Sequence, residues 1–237
     1  CVYLSLEALG TERVTGWFAP YTHITAEETN EFVDDIVRDT GIKVIVDDTL
    51  REILKTAKTP RFHDSHVKAA RRKYESEIKM FYQDEGQVFE WPMNVHTGVI
   101  LGCGERLVDQ AYSSITSQHD FRRAMAKTRA IRHNLTLVCC ANLTEGLIGW
   151  YTKGGLDDPK VADVAPIADL YKTQVQALAA HIPIIESVQR RKPSSDMGIG
   201  TDEEMGLPDY LTMDLVLKGY LELDMTPKQI HQEAGIA

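Results

Sequence analysis

The residues best suited to chemistry lie in the second half of the chain. Asn142, Thr144 and Glu145 fall where an apolar run ends and a helix begins, the place at which parallel α/β sheets put their ligand crevice. Two readings of that segment stand side by side. Asn142 with Glu145 three residues on is a capping box, in which the carboxylate serves only the helix start. In the other reading Glu145 is a hard oxygen ligand for Mg²⁺ on a nucleotide phosphate. A second feature bears on the choice. In D-L-Y-K-T-Q-V-Q-A-L-A-A-H-I, Asp169 reads as an N-cap and Tyr171, Val175, Leu178 and Ile182 as an apolar stripe, placing Lys172 in the first helical turn. A cation there faces the positive end of the helix dipole, unfavourable by roughly a few tenths of a kcal/mol unless an anion is present. Phosphate is the natural anion, held by free backbone N–H groups and a lysine point charge. The bland alternative is a solvated lysine lying over its neighbours.

Between these features runs T-K-G-G-L-D-D-P-K-V-A-D, where Gly154, Gly155 and Pro159 break regular structure and Lys153, Asp157, Asp158 and Asp163 supply charge. It reads as either a solvated surface loop or a loop that closes over a ligand. Farther on, K-P-S-S-D sets Ser194 and Ser195 after a proline, where hydroxyls commonly form local turns.

Positioning these groups requires a scaffold, and the first half of the chain supplies its grammar. Residues 1–10 read as the end of a helix stopped by Gly10, and Val14 to Ala19 as a short buried strand closed by Pro20. Thr25 and Glu28 form a capping box opening a helix to Gly41, followed by the β-branched strand IKVIV. Strand, helix, strand with short connections is the βαβ unit of a parallel sheet. An amphipathic helix is expected from Ser65 through Phe81, and a second helix from about Asp120 to Asn134, leading into the strand LTLVCCA. Periodicity does not decide the architecture of 83–117. No repeat or Pro/Ser-rich linker divides the pieces, so residues 1–237 read as one domain of the α/β class.

Composition removes several classes of function. The chain has 237 residues, 43% hydrophobic and 26% charged, long enough to bury roughly 70% of its unfolded surface without a metal or disulfide staple. It carries 35 acidic against 26 basic residues, a formal charge of −9, with no basic block to track a phosphate backbone. Nucleic acid is therefore not the expected partner. Apolar runs such as Val99 to Cys103 fall far short of the roughly 20 residues of a bilayer span. Four cysteines with no CxxC pair fit neither a disulfide framework nor a zinc ribbon, so a reducing, cytoplasmic compartment is expected. His63 and His66 read as capping and solvated residues. VILGCGE lacks the third glycine of a dinucleotide fingerprint and implies no cofactor.

Taken together, ANLTEGLIGWYTKGGLDD, VAPIADLYKTQVQALA, KPSSD and GTDEEMGLPDYLTMD resemble, in order and spacing, the ammonia-dependent NAD⁺ synthases of the ATP-pyrophosphatase amide ligases. The resemblance is dense from Asn142 to Asp214. It implies a doubly wound parallel sheet flanked by helices, Rossmann-like and of the ATP-pyrophosphatase type, acting as a homodimer. It also implies that ATP activates the carboxylate of deamido-NAD as an acyl-adenylate, that pyrophosphate leaves, and that ammonia forms the amide. By the same resemblance Glu145 would hold Mg²⁺, Lys172 would contact ATP phosphate, and Ser194 would contact ATP. Lys153 and Asp163 would meet deamido-NAD, as would Arg122 or Arg129 of FRRAMAKTR.

The pattern also departs from the family. An SGG-x-DS phosphate loop normally precedes the helix that opens this chain and is absent from these residues, so the expectation is that it lies upstream of Cys1. Cys140, at the nucleotide, stands where a threonine is usual, exchanging a hydroxyl for a weak thiol donor; it reads as a buried strand cysteine, with a sulfur nucleophile as the alternative. The loop GGLDDPKVAD and residues 83–117 are longer than the family's, and the chain stops before the basic tail. Two other functions stay open: adenylation of a different small carboxylate or carbonyl, and a catalytically silent dimeric scaffold.

Overall fold

The computed structural model of the chain describes residues 1–20, 27–49, 105–194, 201–203 and 207–236. The helix expected from Ser65, most of 83–117, His63, His66, Thr25 and Ser195 lie outside them.

Helix α1 (Val2–Leu9) ends at Gly10, whose φ of 80° suits a residue without Cβ. Strand β1 (Thr15–Phe18), helix α2 (Glu27–Thr40) and strand β2 (Lys43–Val46) follow, and the two strands pair in parallel with Thr15 opposite Lys43 and Phe18 opposite Val46. This is the βαβ unit that the sequence pattern predicts. Gly16 lets the strands approach, since a Cβ there would lie 2.9 Å from Val44 Cγ2. The Tyr3 hydroxyl donates to Asp39 Oδ2 at 2.7 Å, fastening α1 to α2, and the Cys1 thiol lies 3.8 Å from the Cys139 carbonyl, setting the start of α1 against segment 135–141.

Helix α3 spans 28 residues, Glu105–Arg132, and so begins well before the expected Asp120. Ser113, Ser114, Thr116 and Ser117 are weak helix formers that obscure the apolar period over its first half. Its end is a Schellman turn. Asn134 takes φ 51°, with Leu135 N–H donating to Ala130 O at 2.8 Å and Asn134 N–H to Ile131 O at 3.3 Å. The expected strand over 135–141 shortens to one parallel bridge, Val138 to Val164. Its ladder is cut at Leu137, whose N–H donates to the Asp163 carboxylate at 2.8 Å rather than to a neighbouring strand.

The remaining elements are α4 (Leu143–Ile148), α5 (Lys172–Ala179), α6 (Glu186–Arg190), α7 (Tyr210–Leu221) and α8 (Pro227–Ala234). Tyr171, not Asp169, is the N-cap of α5; Gln174 Oε1 reaches back to accept from the Tyr171 N–H at 2.8 Å, leaving Asp169 no part in the cap. Helix α7 packs on α4, α5 and α8. Gly219 permits the last contact, because a Cβ would meet Ile230 Cγ1 at 2.9 Å. Helix α6 leans on α2, where Arg191 Nη2 donates to Thr29 Oγ1 at 2.9 Å and the guanidinium sits 4.3 Å from the Phe32 ring centroid.

At the carboxyl end of β2, buried Asp47 joins the βαβ unit to α3. Its carboxylate accepts from Arg129 Nε at 2.7 Å and Nη2 at 2.6 Å, from Thr49 Oγ1 at 2.6 Å and from Trp17 Nε1 at 3.3 Å. Burial opposes ionisation, but the Thr49, Trp17 and Arg129 donors outweigh it and hold the carboxyl below its usual range. A pKa lower in the folded than in the unfolded chain adds stability that is present at neutral pH and lost as pH falls through the folded value. Urea midpoints of the wild type are therefore expected to fall between about pH 5 and about pH 2, whereas Asp47→Asn starts lower at neutral pH and changes less across that range.

Candidate active site at the starts of helices α4 and α5

Asn142 and Glu145 form the capping box of α4. Asn142 Oδ1 accepts from the Glu145 N–H at 3.0 Å, and Glu145 Oε2 accepts from the Asn142 N–H at 3.2 Å. The other carboxylate oxygen, Oε1, lies 3.4 Å from Lys172 Nζ. Both side chains are about one-fifth exposed, at 19% and 21%. Lys172 is the first residue of α5, and its ammonium also sits 5.0 Å from the Tyr210 ring centroid.

A buried network fixes the two helix starts relative to each other. Thr144, with no exposed surface, donates its hydroxyl to Asp214 Oδ1 at 2.5 Å and accepts the Lys172 N–H at 2.9 Å. Asp214 Oδ2 accepts from the Thr173 N–H at 2.8 Å and hydroxyl at 2.7 Å. Two otherwise orphaned N–H groups of α5 are thus satisfied by side chains from α4 and α7. The Tyr171 hydroxyl donates to Glu222 Oε1 at 2.8 Å; burial first, then this carboxylate, push its pKa up to about 12.

The segment bearing Ser194 joins the same region. Exposed Ser194 pairs in an antiparallel bridge with Thr201, and the Asp202 N–H donates to Pro193 O at 2.9 Å. Buried Asp202 accepts from the Tyr210 hydroxyl at 2.6 Å and Trp150 Nε1 at 3.3 Å.

Cys140 is exposed and Cys139 buried, the reverse of the expected burial of Cys140. Cys140 is accessible yet closely surrounded by protein, and loss of hydration followed by the Glu145 charge pushes its thiol pKa up. That favours the neutral thiol over a nucleophilic thiolate. Lys153 is exposed. Asp163 is also exposed and holds the Leu137 N–H. Arg122 is half-buried on α3, while Arg129 is engaged by Asp47.

The loop around Gly154 is pinned from within. Asp158 is buried and accepts from the Gly154 and Lys160 N–H groups at 2.8 and 2.9 Å. Asp157 accepts from the Thr152 N–H at 3.0 Å and faces His119 Nδ1 at 3.2 Å. In the sequence both aspartates read only as loop charge. Thr144 stands where the sequence places it, at the start of α4. Asp202, Tyr210 and Asp214 lie inside the quoted motifs without a local signal of their part, save that Asp214 is a polar residue on a mostly apolar helix.

The geometry defines an α/β protein with a carboxylate and a lysine ammonium presented together at two adjoining helix starts. The NAD synthase family model matches residues 113–237, more than half of the chain, and the chain belongs to that family. It is 40% identical over 116 residues to an NH(3)-dependent NAD(+) synthetase of Coprothermobacter proteolyticus, covering 48% of this chain and 38% of the relative. A Mycoplasma pneumoniae NH(3)-dependent NAD(+) synthetase is 38% identical over 110 residues, covering 46% and 43%. One from Staphylothermus marinus is 24% identical over 235 residues, covering 98% and 68%. The chain thus spans less than half the length of the first two relatives it matches. Among solved structures, an NMN synthetase from Francisella tularensis superposes with a TM-score of 0.57 at 17% identity, covering 98% of this chain and 76% of that one, a likeness of fold.

Removing the Asp214 carboxylate would strand the Thr144 hydroxyl and both Thr173 donors. Asp214→Ala is expected to lower stability by about 2–4 kcal/mol, and Asp214→Asn by less because its amide oxygen still accepts. Urea unfolding checks this, with the midpoint falling at constant slope.

Proposed function

We propose that the chain is the catalytic part of an ATP-dependent amide ligase that converts deamido-NAD and ammonia to NAD⁺ through an acyl-adenylate, releasing AMP and pyrophosphate. The observation that carries this reading is the Glu145–Lys172 pair at 3.4 Å, set on two helix starts. A carboxylate oxygen resists substitution until it becomes part of a good leaving group, so the reaction needs fixed positive charge where pyrophosphate departs. Lys172 supplies such charge, and the start of α5 adds its dipole.

The residues also fit Mg²⁺. Glu145 Oε1 is a hard, partly exposed donor whose present partner, a flexible ammonium, can move to a phosphate. When bound, Mg²⁺ would act as a Lewis acid on phosphate oxygens. Glu145 holds its orientation through the capping box. Ser194, exposed in the segment bridged to Thr201, is assigned to the nucleotide through its hydroxyl. Cys140, closely surrounded and carrying a neutral thiol, is assigned to the nucleotide as a weak donor. Lys153, Asp163 and Arg122 are assigned to deamido-NAD.

The same proposal includes the doubly wound parallel sheet of the ATP-pyrophosphatase type, a cytoplasmic location and a homodimer. No helix among the described residues is long and apolar enough to cross a membrane. Leu211, Tyr220, Leu221 and Leu223 are exposed on and after α7, apolar surface of the kind a second copy covers. One observation favours a second reading, adenylation of another small carboxylate: at position 140 a thiol replaces a hydroxyl donor.

The protein with Mg²⁺-ATP, ammonium and deamido-NAD is expected to release AMP, pyrophosphate and NAD⁺ in equal amounts. Pyrophosphate formed only with some other acid would support the second reading, and no nucleotide binding in calorimetry would leave a silent scaffold. Glu145→Gln separates the two roles of that residue, because glutamine completes a capping box as well as glutamate does. The variant is expected to keep its unfolding midpoint while losing turnover by about 100-fold or more; unchanged turnover would leave Glu145 as a cap alone.

A further inference from the structure

The cluster centred on Asp202 is not used by the chemistry above, although it ends on the ammonium that chemistry needs. Asp202 has 5% relative exposure, yet its two carboxylate oxygens are divided between the Trp150 indole N–H at 3.3 Å and the Tyr210 hydroxyl at 2.6 Å. A neutral donor on a buried carboxylate at that distance is a strong, charge-assisted hydrogen bond. Burial first, then the Asp202 carboxylate, push the Tyr210 phenol far above its ordinary pKa, so it stays protonated and remains a donor.

The Tyr210 ring is held at both ends. Its backbone is the first residue of α7, whose cap Asp209 accepts from the Thr212 N–H at 3.0 Å, and its hydroxyl is anchored by Asp202. Donation to a carboxylate raises electron density on the phenol ring, strengthening the negative face that attracts a cation. Lys172 Nζ lies 5.0 Å from that ring's centroid, within the range of a cation–π contact. A lysine stem otherwise carries large rotamer freedom, which a rigid ring face reduces before any ligand arrives.

We propose that Tyr210 is a positioning residue for Lys172: its ring, locked by Asp202 and Trp150, holds the ammonium beside Glu145 so that the cation is already aimed when an anionic phosphate binds. This rests on the reading of Lys172 as a phosphate ligand, and the test separates the two. The full chain is used, with α,β-methylene-ATP and Mg²⁺ as the probe. NMR of labelled lysine side chains reads the ring contact, with the Lys172 signal assigned by its loss in Lys172→Met.

The Lys172 Hε signal is expected upfield of the other lysines, diminished in Asp202→Asn, diminished further in Tyr210→Phe, which keeps the ring but loses its anchor, and lost in Tyr210→Leu. Probe affinity is expected to fall about 3- to 10-fold in Tyr210→Leu and to be restored only in part in Tyr210→Phe. Adding Tyr210→Leu to Lys172→Met is expected to cost nothing further. An ordinary Lys172 signal in the wild type, or an equal affinity loss in the Lys172→Met background, would overturn the proposal. Should Tyr210→Leu not fold, the wild-type, Tyr210→Phe and Asp202→Asn signals decide it, an unchanged Asp202→Asn signal counting against the anchor. If Lys172→Met binds the probe as tightly as the wild type, the phosphate role of Lys172 fails, and the ring signal alone decides the positioning role.

Discussion

A carboxylate taken out of water must be answered by donors, or its burial costs several kcal/mol. Asp214 is answered by three: the Thr144 hydroxyl, the Thr173 hydroxyl and the Thr173 N–H. Those groups belong to α4 and α5, and Asp214 itself to α7, so satisfying one charge sets the relation of three helices. Thr144 then spends its acceptor on the Lys172 N–H. The position from which the Lys172 side chain departs is therefore decided by a hydrogen-bond requirement deep in the core. Everything the two helix starts present outward follows from that arrangement.

Outside the network, the charges of Lys172 and of the helix start are of like sign and repel weakly. The Glu145 oxygen and the Tyr210 ring face offset this without neutralising it permanently. Neither is a tight clamp. The ion pair is 3.4 Å long and about one-fifth exposed, and the ring contact is 5.0 Å. Contacts of this strength aim an ammonium while leaving it free to exchange partners, which the two short Arg129 donors on Asp47 Oδ2 do not allow. The comparison sets a cation committed to one carboxylate against one free to meet a phosphate, as the role proposed for Lys172 requires.

Much of the scaffold was legible because its signals are local. The stop at Gly10, the alternation of strand, helix and strand to Val46, and the capping pattern at Asn142 each depend on a few neighbouring residues. Helix α3 is longer than its pattern suggests because its serines and threonines mask the apolar period while the helix persists. The strand over 135–141 is shorter than its pattern suggests because its β-branched residues suit a ladder that Asp163 interrupts. Lys172 and Glu145 could be nominated separately, but their approach depends on Asp214, some forty residues beyond Lys172. No periodicity reports that a buried carboxylate will meet two threonines. Asp157 and Asp158 are opaque for the same reason: composition records their charge and not the backbone N–H groups they turn toward.

The two readings of Glu145 are not exclusive, because a carboxylate has two oxygens and the structure gives them different work. Oε2 is committed to the Asn142 N–H, and Oε1 faces the ammonium. An unanchored glutamate loses about 1.5–2 kcal/mol of rotamer entropy when a ligand fixes it. Here the capping box meets that cost during folding, before any ligand is bound. The helix start is thus the device that aims the remaining oxygen. On the role proposed for Glu145, Asn142 is as necessary to the site as the carboxylate it holds.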